Sequence, residues 1–281
     1  MTAANGLPEF VIIGAVKGAT TWLHNQLRDN PAIYLPGPEP HFFSQEYDLG
    51  FDHYRSKFSA AAPGKILGEK SADYFAHPKA AARMARAMPN ARLVLQLRNP
   101  IERAYSDYKM LYRRGTVTKG PEAYLTSLDC EQPRFLEDGL YAKHLKRWLD
   151  HFDGESLKVL LFEDVKATPA KVVAEVSAHI GAPNHYSLDV GSKPRNDSTK
   201  QFLPLPIRTA LAPFKEAVRP LRGNAMFEAA RRVLAREIRY PPLSDSLQQR
   251  IADFYARDIE DLSHMLGRNL RDWTIPHRMA A

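Results

Sequence analysis

Cysteine is nearly absent from this 281-residue chain. Cys130 stands alone, so neither an internal disulfide framework nor a cysteine-rich metal site can be built from it. Long apolar runs are missing too: no stretch approaches the roughly 20 residues that span a bilayer. The opening Met-Thr-Ala-Ala-Asn-Gly-Leu-Pro-Glu has no basic segment followed by an apolar one, as a secretory signal would. Together these absences set the expectation of a cytoplasmic chain in a reducing compartment. No internal repeat, low-complexity tract or Asp/Glu/His ligand cluster stands out, so no metal is expected.

What is present is ordinary for a globular protein, 44% hydrophobic and 25% charged, with a net charge of +7. The length favours one large domain over residues 1–281. The positive surplus gathers between Arg208 and Arg239, inside a Pro/Arg-rich segment at about 202–242 that reads as an insertion of short helices and loops. Arg208, Lys215, Arg219, Arg222, Arg231, Arg232, Arg236 and Arg239 raise the alternative of a nucleic-acid-binding protein. No zinc-finger or aromatic RNA-binding signature accompanies them, and such a run is usually a solvated face; no nucleic-acid partner is expected.

Short β-branched or leucine-rich runs read as buried parallel strands: Phe10–Ile13, Leu93–Leu97 and Leu157–Phe162, with a shorter one at Lys65-Ile66-Leu67. Helical faces lie between them, over Ile101–Tyr112, at Tyr141, Leu145, Trp148, Leu149 and Phe152, and at Val172, Val173, Val176 and Ile180. A final helix carries Leu247, Ile251, Phe254, Leu262 and Leu266 on one stripe. Strands alternating with helices predict an α/β fold, a P-loop-like parallel sheet flanked by helices in a single domain.

After the first strand comes Gly14-Ala15-Val16-Lys17-Gly18-Ala19-Thr20-Thr21. Small residues expose backbone N–H groups, a helix start capped by Thr20 or Thr21 adds partial positive charge, and Lys17 adds a full one: the makings of a phosphate or sulfate site. A nucleotide kinase, the nearest enzyme alternative, needs Gly-x-x-x-x-Gly-Lys-Ser/Thr so that lysine follows the second glycine and the next hydroxyl holds Mg²⁺. Here Lys17 precedes Gly18 and no lysine comes before Thr20. Arg98 ends the next strand, and Ser106 follows two helical turns on; strand ends are where ligands bind in open parallel sheets, and arginine offers a bidentate fork to phosphate.

Lys17-Gly18-Ala19-Thr20-Thr21 and Leu97-Arg98-Asn99-Pro100-Ile101-Glu102-Arg103-Ala104-Tyr105-Ser106 together resemble the sulfotransferase family, whose donor is 3′-phosphoadenosine 5′-phosphosulfate. Gly68–Phe75, Gly139–Trp148 and Asp258–Trp273 resemble segments of the heparan-sulfate-type branch. Most members have Lys-x-Gly-Thr-Thr, with Ala19 here at the glycine. The resemblance implies a sulfotransferase fold and sulfuryl transfer to a hydroxyl or amine of a small-molecule, glycan or lipid acceptor, with 3′-phosphoadenosine 5′-phosphate as product. It implies that Lys17, Gly18, Ala19, Thr20, Thr21 and Trp22 hold the 5′-phosphosulfate, Arg98 and Ser106 the 3′-phosphate, and Lys193 and Arg195 a later part of the donor. Glu69 is then the general base, Lys17 the cation on the leaving oxygen and His144 a further active-site candidate. His41-Phe42-Phe43 is similar to a Lys-Glu-x-x-Phe-Phe stretch of relatives, with Pro38 at the lysine. A family module that binds the nucleotide without turnover is a further alternative. The acceptor, anionic if the arginine-rich stretch meets it, and the oligomeric state are not legible.

Overall fold

Five β-branched or leucine-rich segments assemble into one all-parallel sheet in the order β2-β3-β1-β4-β5. The fold is a computed structural model in which residues 6–191 and 238–275 are described. The strands are β1 (Phe10–Gly14), β2 (Ile33–Tyr34), β3 (Ile66–Lys70), β4 (Arg92–Leu97) and β5 (Leu157–Leu161). β1 is central, with Val11 opposite Glu69 on one side and opposite Leu93 on the other. Every residue of β1 is buried, as continuous apolar strands covered on both faces require.

The two faces carry separate cores. Phe10, Ile12, Val94 and Leu160 pack under α1 (Thr20–Asp29) and, later in the chain, α9 (Pro169–His179), through Leu23, Leu27, Val172 and Val176. Val11, Ile13, Leu93, Leu95 and Leu97 face the other way, against α2 (Gly50–Ser56), α3 (Ala80–Ala87), α4 (Pro100–Arg114), the short α5 (Glu122–Leu125) and α6 (Arg134–Glu137), and α7 (Tyr141–Leu149). Each fully buried Leu, Ile or Phe on these faces contributes about 1.5–3 kcal/mol. The short α8 (Phe162–Ala167) follows β5 directly, so Phe162 opens a helix instead of closing the strand. A four-residue helix, α10 (Leu188–Gly191), precedes the undescribed stretch, and α11 (Asp245–Leu266) closes the second core with Leu247, Ile251, Tyr255, Ile259 and Leu262 buried.

β3 runs three residues beyond Leu67, where the sequence pattern ends it. The glycine does not break the strand. A β-carbon there would lie 2.1 Å from the Phe10 ring, so Gly68 lets the β1 aromatic lie flat on β3, a close approach of the kind glycine in a strand serves. The extension makes Glu69 and Lys70 the last two residues of a paired strand. Among the described residues no helix is long and apolar enough to cross a membrane.

α4 starts by its own chemistry. The Asn99 side chain accepts the Ile101 amide at 2.9 Å, Pro100 occupies the first helical position, and Gly115 ends the helix at φ 78°, the arrangement expected of an Asn cap, an N1 proline and a left-handed glycine stop. The cap fixes Arg98 at the junction of β4 and α4.

Candidate active site

The loop after β1 is shaped by one close approach. The Ala15 amide donates to the Gln96 carbonyl of β4 at 2.9 Å, and the Gly18 amide donates back to Ala15 at 2.9 Å. A β-carbon on Gly18 would stand 2.3 Å from that same Gln96 oxygen, so any other residue would collide with backbone. Lys17 and Ala19 take left-handed backbone at φ 66° and 68°, costing about 1–2 kcal/mol each for a residue with a β-carbon. Ala19 is the cap residue of α1 and no side chain caps the helix. Thr20 and Thr21, expected to cap, are instead its first two residues, because the loop needs Ala19 as its left-handed corner. The first-turn amides of α1 therefore have no side-chain acceptor, and the positive end of the helix dipole is open to an anion. Thr20 is buried, Thr21 half-buried, and half-buried Trp22 packs against the α1–α9 core.

Lys17 faces α4. Its ammonium lies 3.9 Å from the Met110 sulfur and meets no carboxylate among the described residues. Burial, with the charges of Arg113, Arg114 and Arg98 behind it, pushes its pKa below the ordinary lysine value, against the pull of Asp107. Glu102, Ser106, Lys109, Met110 and Arg113 recur at helical spacing on the half-buried face of α4. The opposite face is locked into the core, where Asp107 takes a bidentate grip from Arg134 at 2.9–3.2 Å.

Arg98 is held on three sides. Glu102 takes its Nε and one terminal nitrogen at 2.8 and 2.6 Å, the guanidinium lies 5.0 Å from the Phe162 ring centre, and the Tyr141 hydroxyl donates to the Arg98 carbonyl at 2.9 Å. Half-buried Ser106 lies two turns along the same helix. The Gly139–Trp148 motif owes its composition to this support: a β-carbon on Gly139 would strike the Tyr255 hydroxyl at 2.4 Å, and Asp258 of α11 accepts the Ala142 and Lys143 amides that open α7, at 3.0 and 3.1 Å. Trp273, in the final motif, packs its ring on Tyr141 and donates to Glu163 at 3.2 Å. From Lys193 and Arg195 onward the basic calls lie outside the described residues, except Arg239, which is exposed.

β3 and the 39–44 turn stand beside the root of the Lys17 loop, where the Ser71 and Phe75 amides donate to Ile12 and Ile13. Lys70, 6% exposed, donates to Glu39 at 2.6 Å, and the Ala72 amide holds the other Glu39 oxygen at 3.1 Å. The Ala72 carbonyl stands 3.0 Å from where a β-carbon on Gly14 would sit, so Glu39 is tethered at the root of the Lys17 loop. Its side chain is 32% exposed. His41 follows at φ 52° and donates from Nδ1 to the Asp73 carboxylate at 2.7 Å. That bond raises the His41 pKa. Burial pushes Asp73 up, yet His41, Ser44 and Gln45 together outweigh it and hold Asp73 at about 2.

Glu69 is 0% exposed. Tyr54 donates to one oxygen, Ser71 to the other at 2.7 Å, and Tyr74 also bonds the carboxylate. Burial raises its pKa although the three hydroxyls oppose the rise. The structure thus encloses Glu69 and leaves Glu39 partly exposed. His144, 1% exposed, is enclosed as well: Nε2 donates to the Glu137 carbonyl at 2.9 Å, the ring packs edge-on against Phe75, and burial lowers the pKa to about 4. Phe42 and Phe43 are core: Phe42 stacks on Tyr54 and lies tilted against Tyr47, and Phe43 meets Tyr74 edge-on. Sequence reading missed Glu39, His41, Asp73 and Tyr141. The first two were legible as polar residues inside an otherwise apolar aromatic stretch; the last two declare themselves only through partners far along the chain. Among the described residues no three His, Cys, Asp or Glu side chains converge as a metal site.

Comparison with known proteins finds sulfotransferases. A model of the sulfotransferase family matches residues 50–186. The chain is 33% identical over 198 residues to a bifunctional heparan sulfate N-deacetylase/N-sulfotransferase 1 of Caenorhabditis briggsae, covering 63% of this chain and 23% of the relative. It is 32% identical over 185 residues to human heparan sulfate glucosamine 3-O-sulfotransferase 3B1, covering 62% and 46%. The chain thus spans less than half the length of these curated relatives. A sulfotransferase structure from Alicyclobacillus acidocaldarius superposes with a TM-score of 0.71 at 25% identity, over 96% of this chain and 99% of that one. By motif, sequence relatedness and fold together, the chain is similar to the sulfotransferase family.

Proposed function

We propose that the protein transfers a sulfuryl group from 3′-phosphoadenosine 5′-phosphosulfate to a hydroxyl or amine of a glycan-type acceptor. One observation carries the reading: the uncapped start of α1 follows a lysine that meets no carboxylate among the described residues and faces α4, whose half-buried side presents Ser106 and Lys109 just beyond Arg98. This is an anion site with two poles, as a nucleotide bearing a 5′-phosphosulfate and a separate 3′-phosphate demands. The Lys17–Trp22 loop supplies amides, hydroxyls and one cation to the first pole, and Arg98 with Ser106 supplies the second.

In the transfer, the acceptor oxygen or nitrogen bonds to sulfur as the bond from sulfur to the phosphate oxygen breaks. 3′-Phosphoadenosine 5′-phosphate departs and the acceptor proton passes to a carboxylate. Lys17 stabilises the charge that gathers on the leaving oxygen, where a fixed cation acts most strongly. Sequence resemblance assigns the proton to Glu69. Exposure and tethering favour Glu39, which solvent reaches and which Lys70 and the Ala72 amide aim from two sides; a base has to come within hydrogen-bond reach of the proton it takes. The names of the curated relatives support a glucosamine-containing glycan as acceptor.

The test is transfer of labelled sulfate from the donor to glucosamine-containing oligosaccharides by wild type, Lys17→Ala and Glu39→Gln. Transfer by wild type, reduced at least about 100-fold in each variant, is the expected result. Nucleotide binding without turnover on any acceptor would instead favour a non-catalytic family module.

A further inference from the structure

Two backbone amides of the strained 39–44 turn end on hydroxyls, and both hydroxyls end on one carboxylate. The His41 amide donates to Ser71 Oγ at 2.9 Å, and the Ser71 hydroxyl donates to Glu69 at 2.7 Å. The Phe43 amide donates to the Tyr74 hydroxyl at 3.1 Å, and that hydroxyl bonds Glu69 in turn. Tyr54 adds a third hydroxyl, its ring stacked 4.3 Å from Phe42. His41 sits at φ 52°, a conformation that costs a non-glycine residue free energy and persists only where its surroundings over-determine it.

An acceptor-only group at the centre sets the polarity of both relays. A carboxylate offers no proton, so the Ser71 and Tyr74 hydroxyls point their hydrogens at Glu69 and leave lone pairs free for the two amides. A neutral amide in its place would donate to one hydroxyl and reverse that relay. The fully enclosed carboxylate is costly to bury, and the groups it fixes are those beside Glu39 and the His41–Asp73 pair.

We infer that Glu69 is a positioning residue: through Ser71 and Tyr74 it holds the 39–43 turn so that Glu39 and His41 face the acceptor. This rests on the reading of Glu39 as the residue that takes the acceptor proton. Glu69 reaches the reaction only through the turn.

The experiment compares full-length wild type with Glu69→Gln, Ser71→Ala, the double variant and Glu39→Gln. Three quantities are measured: affinity for 3′-phosphoadenosine 5′-phosphate, the His41 ring resonance by NMR, and kcat and KM on a glucosamine-containing oligosaccharide. The expected result is nucleotide affinity within about twofold of wild type in all, since the donor loop is untouched. Glu69→Gln and Ser71→Ala then each displace the His41 resonance and lower kcat/KM about tenfold, as small misplacements of a reacting group do, with the double variant no worse than either single. Ser71→Ala keeps the carboxylate and guards against a Glu69 variant that fails to fold. Loss of turnover in Glu69→Gln alone, with Ser71→Ala at the wild-type rate and resonance, would overturn the inference and return the proton to Glu69. A Glu69→Gln protein with unmoved His41 resonance would overturn it equally, even on an oligosaccharide that is not turned over. Full activity in Glu39→Gln refutes the underlying reading instead, whatever His41 does.

Discussion

Gly18 and Gln96 meet backbone to backbone: a β-carbon on Gly18 would lie 2.3 Å from the Gln96 carbonyl oxygen, which also accepts the Ala15 amide. The donor loop is thereby pinned to the strand that leads into Arg98, so the two poles of the proposed nucleotide site are set by one contact. Gly18→Ala forces loop and strand apart. A cost of about 1–3 kcal/mol is expected from overpacking of this kind, with at least a tenfold loss of nucleotide affinity. Thermal unfolding and calorimetric titration read the two effects separately.

Ala19 gives the opposite expectation. Its left-handed backbone costs about 1–2 kcal/mol, whereas a glycine there costs the unfolded chain about 0.4–1 kcal/mol in extra freedom. The first number is the larger, so Ala19→Gly is expected to stabilise the protein by roughly 0.5 kcal/mol. Nucleotide affinity should stay within about twofold, because φ 68° is kept. A lowered melting temperature would show that the corner is not strained.

Tyr141 supports Arg98 from behind, its hydroxyl 2.9 Å from the Arg98 carbonyl. Tyr141→Phe leaves that carbonyl without this donor, a loss of about 1–3 kcal/mol where the group is buried. Stability should fall by an amount in that range, and nucleotide affinity about three- to tenfold as Arg98 loosens. Calorimetry on the variant and on Arg98→Ala separates the two: in the double variant the Tyr141 substitution should have no further effect on affinity.

His144 makes a pH prediction. Its folded pKa, about 4, lies below the usual 6.5, so between these values the unfolded chain binds the proton and the folded one does not. Stability therefore rises with pH across that window and is complete above about 6.5. At about 1.4 kcal/mol per unit the contribution is on the order of 3 kcal/mol. His144→Gln, which keeps a donor for the Glu137 carbonyl, should flatten the stability curve between pH 4 and 6.5 and leave turnover at neutral pH unchanged. A large loss of turnover would place His144 in the reaction.

The sheet was legible because its strands are short apolar runs with sharp ends, and the Lys17 loop and Arg98 because each stands directly at such an end. β3 was cut short at Gly68, since in sequence a glycine bounding a strand looks the same as a glycine that admits a neighbouring ring. The same missing fact misplaced Glu69: once the strand continues, alternation turns its side chain inward to Tyr54 and Tyr74. Glu39 was passed over because Pro38 and Pro40 flank it and Phe42 and Phe43 dominated the reading. Its value comes from Lys70 and Ala72, some thirty residues on, and from the fold that joins them. In sequence nothing separates a core His144 from one in the site, because its contacts with Phe75 and the Glu137 carbonyl come from the fold.

Whether the two-pole site binds the nucleotide proposed for it is the question on which the account turns. The direct measurement is calorimetric titration of the protein with 3′-phosphoadenosine 5′-phosphate without Mg²⁺, beside ATP and beside the Lys17→Ala and Arg98→Ala variants. The account predicts micromolar binding of the bisphosphate, much weaker binding of ATP, and at least a tenfold loss in each variant, one for each pole. No binding of the bisphosphate, or binding of ATP that appears only with Mg²⁺, would contradict it.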